Sequence, residues 1–335
     1  MADISVKYLG LDLSSPVIAA SSGLTNSVDN IKKLEKAGVG AVVLKSLFEE
    51  QINFEVNEQI AVSAHKDYPE AYDYMTEYAQ NNSVNEYLKL ISGAKNEVNI
   101  PVIASINCYS DKSWVNFAKK IEEAGADGIE LNLFIVNHDK NSDPQKYEEV
   151  YYKVSQSVSK VVSIPVSIKL GVYFSNLVSL VNKLSVSGSK GVVLFNRFYE
   201  PDINIDKLTL TSSNVYSSPS DIRRSLRWVA IVSDKIPNID ISASTGVHDG
   251  EAVVKQLLAG AKAVQVCSVI YKHGPAVITS MNNYIKEWMK GKNFSSIDDF
   301  NGIMSYSRIP DPAMYERAQF MKYFSQLDIG DNNKL

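Results

Sequence analysis

The residues of this chain best suited to chemistry stand at the ends of short apolar runs. Ser21, Ser22 and Gly23 follow PVIAA, Lys45 and Ser46 close AVVLKS, and Ser105 and Asn107 close PVIASIN. Asn132 falls inside IELNL, with Asn137 five residues on, and Lys169 sits near the end of PVSIKL. Asn196 and Arg197 follow GVVLF, Ser244, Thr245 and Gly246 follow IDISA, and Cys267 and Ser268 follow AVQV. A lysine after an apolar run needs an anionic or dipolar partner, because burying it unpaired is costly. Asparagine offers both a donor and an acceptor, which suits an amide-bearing ring. Small side chains beside free backbone N–H groups suit a phosphate. The set lacks the carboxylate pair of a glycosidase and the His/Cys/Asp clusters of a metal site. For any one asparagine or lysine, a satisfied structural contact is the plain alternative.

The elements that must position these residues follow from the pattern. The chain has 335 residues, 45% of them hydrophobic, enough for a large core. Its net charge of −4 calls for neither nucleic acid nor an anionic membrane. Two cysteines, Cys108 and Cys267, are too few for a disulfide framework or an iron–sulfur cluster. No apolar run approaches the ~20 residues of a membrane span, and the N-terminus lacks a signal-peptide pattern. A soluble, cytoplasmic protein is the expectation.

Eight apolar, β-rich runs recur at 16–21, 41–46, 101–106, 128–133, 165–170, 191–196, 239–244 and 263–268. They lack clear polar alternation, as expected of parallel strands buried on both faces. Helical patterns lie between them, at 26–38, 112–127, 147–161, 176–188 and 250–262. The phrases EKAGVGAVV, EEAGADGIE, SVSGSKGVV and LLAGAKAVQ repeat one device: a helix ends on glycine and a strand begins. Eight βα units predict a single-domain α/β fold over 1–335, a (β/α)8 barrel with its site at the C-terminal ends of the strands. Residues 1–15 read as a hairpin closing the barrel bottom, and 328–335 as a frayed tail. Long insertions follow the second and sixth strands. The first carries a Tyr-rich stretch, 68–80, read as an amphipathic helix over the mouth. The loops after the seventh and eighth strands are the fold's usual phosphate site.

Across almost its whole length the chain resembles the dihydroorotate dehydrogenase family. The similarity runs from LGLDLSSPVIAASSG through VLKS, IELNL and VSIKL to STGVHDGEAVVKQLLAGAKAVQV and YKHGPAVI. The resemblance implies FMN as cofactor. It places Ser22, Gly23, Lys45, Ser46, Ser105 and Asn132 at the flavin and Lys169 at the N1/C2 side of its ring. Thr245, Gly246, Cys267 and Ser268 would hold the phosphate. It also implies substrate contact by Lys45, Asn132, Asn137, Asn196 and Arg197, with Lys45 the catalytic residue that can be named. The chain departs from the family in a few places. Glycine is usual where Ala243, Thr245 and Cys267 stand, and a small hydroxyl residue where Arg197 stands. The family's Asn-Leu-Ser-Cys-Pro-Asn reads Asn132-Leu133-Phe134-Ile135-Val136-Asn137 here. Ile135 occupies the position of the proton-accepting base and can do no such work. His65, His138 and Cys108 are candidates for a relocated base.

The expected function is therefore a flavin oxidoreductase acting on a CH–CH bond of a dihydroorotate-like small molecule. The alternative is a non-catalytic flavoprotein or electron-transfer subunit working with an electron-accepting partner protein. A weaker third is a phosphate-binding isomerase or aldolase barrel without flavin. The resemblance further implies a homodimer, and the absence of a membrane-docking extension argues against a quinone acceptor.

Overall fold

The computed structural model describes residues 2–49, 69–107, 111–136, 138–197 and 200–316. The chain begins with an antiparallel hairpin, β1 (Val6–Tyr8) and β2 (Leu11–Leu13). The strands β3 (Val17–Ala19), β4 (Ala41–Val43) and the short β5 (Leu47–Phe48) follow, with helix α1 (Val28–Ala37) before β4. After the long helix α2 (Pro69–Glu97) come β6 (Val102–Asn107), α3 (Asp111–Glu123), β7 (Gly128–Asn132) and α4 (Pro144–Ser159). Then come β8 (Val166–Leu170), α5 (Leu177–Val186) and β9 (Gly191–Leu194). A second antiparallel hairpin, β10 (Pro201–Asn204) and β11 (Thr209–Ser212), leads into α6 (Ile222–Lys235). The chain continues through β12 (Asp240–Ser244), α7 (Gly250–Ala259), β13 (Ala263–Val266), α8 (Ser268–His273) and α9 (Ala276–Lys292).

Eight strands close the barrel in the order β3, β4, β6, β7, β8, β9, β12, β13, every pair parallel, with β13 returning to β3. All eight predicted runs supply these strands. The helices begin and end on the signals the sequence carries. Ser27 accepts from Asn30 N at 3.4 Å to cap α1, which stops at Gly38 with φ 93°, a left-handed turn that glycine adopts without strain. Asp249 caps α7 by accepting from Ala252 N at 2.7 Å.

One feature of the strands differs from expectation. Residues 129 and 131, 166, 168 and 170, 241 and 243, and 264 and 266 pack outward in the main hydrophobic core beneath the helices. The residues between them face the barrel interior, and many are polar: Glu130, Ser167, Lys169, Ser242, Ser244 and Gln265, all buried. The strands do alternate, but the polar half is sealed from water. At the bottom the interior is apolar, where Tyr8, Leu9 and Leu13 of the hairpin pack with Ile18, Val43 and Ile103. Leu9 N donates to Asp240 Oδ2 at 2.7 Å, pinning the hairpin turn to the start of β12. Burial holds the Asp240 carboxyl above its ordinary pKa.

The predicted helix at 68–80 forms the first part of α2, which runs on to Glu97 and carries Tyr87 into the core. The β10–β11 hairpin inside the second insertion escaped prediction because its apolar residues face water: Ile203, Leu208 and Leu210 are all exposed. Among the described residues no helix is long and apolar enough to cross a membrane. The tail at 328–335 lies outside the described residues.

Two glycines test the packing of the barrel bottom against open helix surface. A Cβ on Gly40 would fall 1.9 Å from the Ser15 backbone oxygen, whereas one on Gly291 in α9 meets nothing within 4 Å. Gly40→Ala is expected to lose about 1–3 kcal/mol, the usual range for overpacking. Gly291→Ala should gain up to ~1 kcal/mol from helix propensity. Urea unfolding midpoints at an unchanged slope check both.

Candidate active site

The C-terminal ends of the barrel strands surround a cavity of about 360 Å³. Its wall comes from the turn after β3 (Ala20, Ser21), β8 (Lys169), the turn after β9 (Asn196, Arg197) and the loops after β12 and β13. Residues 244–246 and 265–268 all line it.

Lys169 projects into the barrel from β8 and is only 6% exposed. Its Nζ donates to Gln265 Oε1 at 3.0 Å and lies 3.5 Å from Glu130 Oε1. Gln265 Nε2 donates in turn to Glu130 Oε2 at 2.5 Å. Gln265 on β13 and Glu130 on β7 are four strands apart in either direction around the barrel, so this bond spans its full width. Sequence reasoning named Lys169 but missed both of its partners. The signal was present: a glutamate and a glutamine inside apolar β-rich runs are anomalies that demand a partner.

A second polar line crosses the mouth under β3, β4 and β6. Ser46 N donates to Ser21 Oγ at 2.9 Å, and Ser46 Oγ shares a 2.7 Å hydrogen bond with Ser105 Oγ. Tyr87 Oη accepts from Ser105 N and donates to Ser105 O, at 2.8 and 2.9 Å. Burial pushes the Tyr87 phenol above its ordinary pKa, so the group stays a neutral donor. Across the mouth Asn196 Nδ2 donates to Asn132 Oδ1 at 2.8 Å, so these two predicted residues meet.

The loops after β12 and β13 have the form of an anion cradle. Thr245 and Gly246 both take left-handed backbone angles, φ 76° and 81°. For threonine that conformation is strained, and its Oγ1 donates to Phe195 O at 3.0 Å. Gly246 tolerates no side chain, since a Cβ would fall 2.1 Å from Ile222 N at the start of α6. Among the described residues none accepts from the backbone N–H groups of Thr245, Gly246 or Cys267. Ser268 Oγ accepts from Ser217 N at 3.0 Å, and Ser217 also meets His248 Nε2 and Lys272 Nζ. Burial depresses the His248 pKa and raises that of the Cys267 thiol.

Other predicted residues, Arg197 excepted, lie apart from the cavity wall. Lys45 is exposed and makes no hydrogen bond or ion pair with a described residue. Ser22 caps the short turn at 23–25, accepting from Leu24 N at 3.3 Å, and Gly23 leaves room for Tyr271, whose Oη would be 2.9 Å from an added Cβ. Arg197 donates to Val215 O and pairs with Glu200 at 3.8 Å. Ile135 turns away from the cavity onto the hydrophobic core, and its carbonyl accepts from Tyr147 Oη. His138 is exposed, and among the described residues its ring meets only Val136 O, at 3.3 Å. Asn137, His65 and Cys108 lie outside the described residues. Among the described residues no group of three or more His, Cys, Asp or Glu could hold a metal ion.

The family model for dihydroorotate dehydrogenase matches residues 3–289. The catalytic subunit of dihydroorotate dehydrogenase B (NAD(+)) from Thermoplasma volcanium is 27% identical, over 90% of this chain and 99% of its own length. The corresponding subunit from Methanothermobacter thermautotrophicus is 27% identical, over 90% of this chain and 98% of its own length. The PreA subunit of the NAD-dependent dihydropyrimidine dehydrogenase of Escherichia coli is 22% identical, over 92% and 78%.

The buried Lys169–Glu130 pair makes a direct prediction. Lys169→Met should cost about 3–5 kcal/mol of unfolding free energy, because it strands a buried carboxylate. Adding Glu130→Gln to that variant should restore most of the loss. A double-mutant cycle from urea unfolding at neutral pH measures the coupling; strictly additive losses would contradict the pairing.

Proposed function

Because the chain belongs to the dihydroorotate dehydrogenase family, we propose that it is an FMN-dependent oxidoreductase acting on a CH–CH bond of a dihydroorotate-like substrate. The observation that carries this reading is the pairing, in one cavity, of a buried ammonium at Lys169 with an unsatisfied N–H cradle at Thr245, Gly246 and Cys267. A flavin mononucleotide has a ring that gains negative charge on reduction and, at a distance, a phosphate. The residues present fit both ends.

Thr245, Gly246, Cys267 and Ser268 would hold the phosphate, with backbone N–H groups doing the work that larger side chains cannot. Ser22, Gly23, Lys45, Ser46, Ser105, Asn132 and Lys169 would hold the ring, and the Lys169 charge would favour its reduced, anionic form. Bound FMN supplies the hydride acceptor. Lys45, Asn132, Asn137, Asn196 and Arg197 would bind the substrate. The Asn196–Asn132 hydrogen bond fixes two of these amides before any ligand arrives, which lowers the ordering cost of binding.

The substrate's proton has no acceptor at Ile135. That side chain is apolar and is packed against the core rather than presented to the cavity. A missing general base typically costs about 10²–10⁴-fold. Turnover of dihydroorotate itself is therefore expected to be slow, and a different ring compound is the better substrate. The position of Ile135 also favours a second reading: a flavin-holding subunit that passes electrons to a partner protein and acts on no small molecule. The three relatives above are themselves named as subunits, two of them as catalytic subunits. A cytoplasmic homodimer with a protein electron acceptor accords with either reading.

Anaerobic titration of the FMN-loaded protein with dihydroorotate, following flavin absorbance, tests the proposal. Dithionite should bleach the flavin at once, and dihydroorotate should bleach it more slowly by about 10²-fold or more. Fast bleaching would show that another group serves as base. A protein that takes up no FMN would overturn the flavin reading in favour of a phosphate-binding barrel.

A further inference from the structure

Glu130 stands outside the cavity and still governs the charge presented to it. Its side chain is 1% exposed and takes no part in the wall, which Lys169 and Gln265 do line. The other charged residues of that wall, Arg197 and Glu200, pair with each other at 3.8 Å. The deep end of the cavity is therefore charged by Lys169 and by the carboxylate 3.5 Å behind it.

That carboxylate is met incompletely. Gln265 Nε2 donates to its Oε2, whereas Oε1 accepts no hydrogen bond among the described residues and has only the Lys169 ammonium beside it. The barrel interior below supplies no cation. Tyr8 Oη and Ser242 Oγ are buried there without hydrogen-bond partners among the described residues. Burial, and then the charges of Glu130 and Asp240, hold the Tyr8 phenol well above its ordinary pKa, so it stays neutral. Gln265 lies between the two charges. Its amide has one acceptor and one donor, and a single orientation gives oxygen to the ammonium and N–H to the carboxylate. It fixes both groups and adds no charge.

A carboxylate close behind an ammonium turns a full charge into a short dipole. With little water to screen it, an anion resting on Lys169 also feels the repulsion of Glu130. A ring that gains negative charge on reduction is then stabilised less than it would be by a lone lysine.

We propose that Glu130 is a positioning residue that sets the reduction potential of bound flavin through Lys169. It holds the ammonium at the ring and offsets part of its charge, so that the reduced ring can still pass on its two electrons. This rests on the flavin reading above, and it holds for an oxidoreductase and for an electron-transfer subunit alike.

Anaerobic redox titration of the FMN-loaded protein at neutral pH, against a reference dye, tests this. Glu130→Gln keeps the shape and removes the charge, and Lys169 keeps Gln265 as its partner. The variant should favour reduced flavin by about tenfold, a rise of ~30 mV for a two-electron couple. Glu130→Asp keeps the charge in a shorter side chain, and its potential should stay close to that of the parent. Equal shifts in the two variants, or an unchanged or lowered potential in Glu130→Gln, would overturn the proposal. Gln265→Glu gives a second measurement should Glu130→Gln fail to fold. Another carboxylate on the same ammonium should disfavour reduced flavin by about tenfold, and an unshifted potential there would also overturn the proposal. A folded protein that takes up no FMN would defeat the flavin reading itself, an outcome distinct from FMN bound at an unshifted potential.

Discussion

Glu130 carries its carboxylate into the barrel interior, 1% exposed, and the arrangement of the mouth depends on how that charge is met. An unpaired carboxylate there would cost several kcal/mol. Gln265 reaches it from the opposite side of the barrel and Lys169 from the neighbouring strand. The pair is thereby fixed from both sides, and the ammonium is held at the floor of the cavity rather than free to snorkel to water. The layer below is apolar and plugged by the N-terminal hairpin, so the polar layer can face only upward. A barrel with an apolar floor and a charged ceiling presents its chemistry at one end.

The cradle opposite Lys169 follows from a different constraint. The loop at 244–246 packs directly on the first residues of α6, so close that Gly246 has no room for a side chain. That contact holds Thr245 and Gly246 in left-handed conformations, and among the described residues their N–H groups have no acceptor. Threonine accepts a strained angle here because its hydroxyl is tied to Phe195 O. Local strain held by tertiary contact is characteristic of binding loops. The fuller side chains at Thr245 and Cys267 leave intact what an anion needs, which is backbone.

The loops after β7 and β9 shape the rest of the mouth. The loop after β7 half-buries Ile135 against the core and exposes Phe134 and Val136. Arg197 is tied to the second insertion through Val215 and Glu200, coupling that insertion to the mouth. Lys169, Glu130 and Gln265 are held on the barrel's own strands, whereas these groups sit on loops, and loops change with little cost to the core.

The sequence by itself determined the barrel. Eight apolar runs, helix stops at Gly38 and Gly260 and the long insertions after the second and sixth strands were sufficient, because each is a local pattern with a local physical cause. It also marked Lys169, Asn132, Asn196 and the 244–246 loop as strand-end polar groups. Tertiary structure alone decided who meets whom. Glu130 and Gln265 are 135 residues apart, and only closure of the barrel makes them partners. No periodicity could have revealed that Ile135 turns to the core while Phe134 and Val136 face a hollow with Arg223 and Arg224, since those arginines arrive from a helix more than 80 residues later. Spacing along the chain fixes elements; the pairing of charges across a closed sheet depends on distances that only the folded barrel sets.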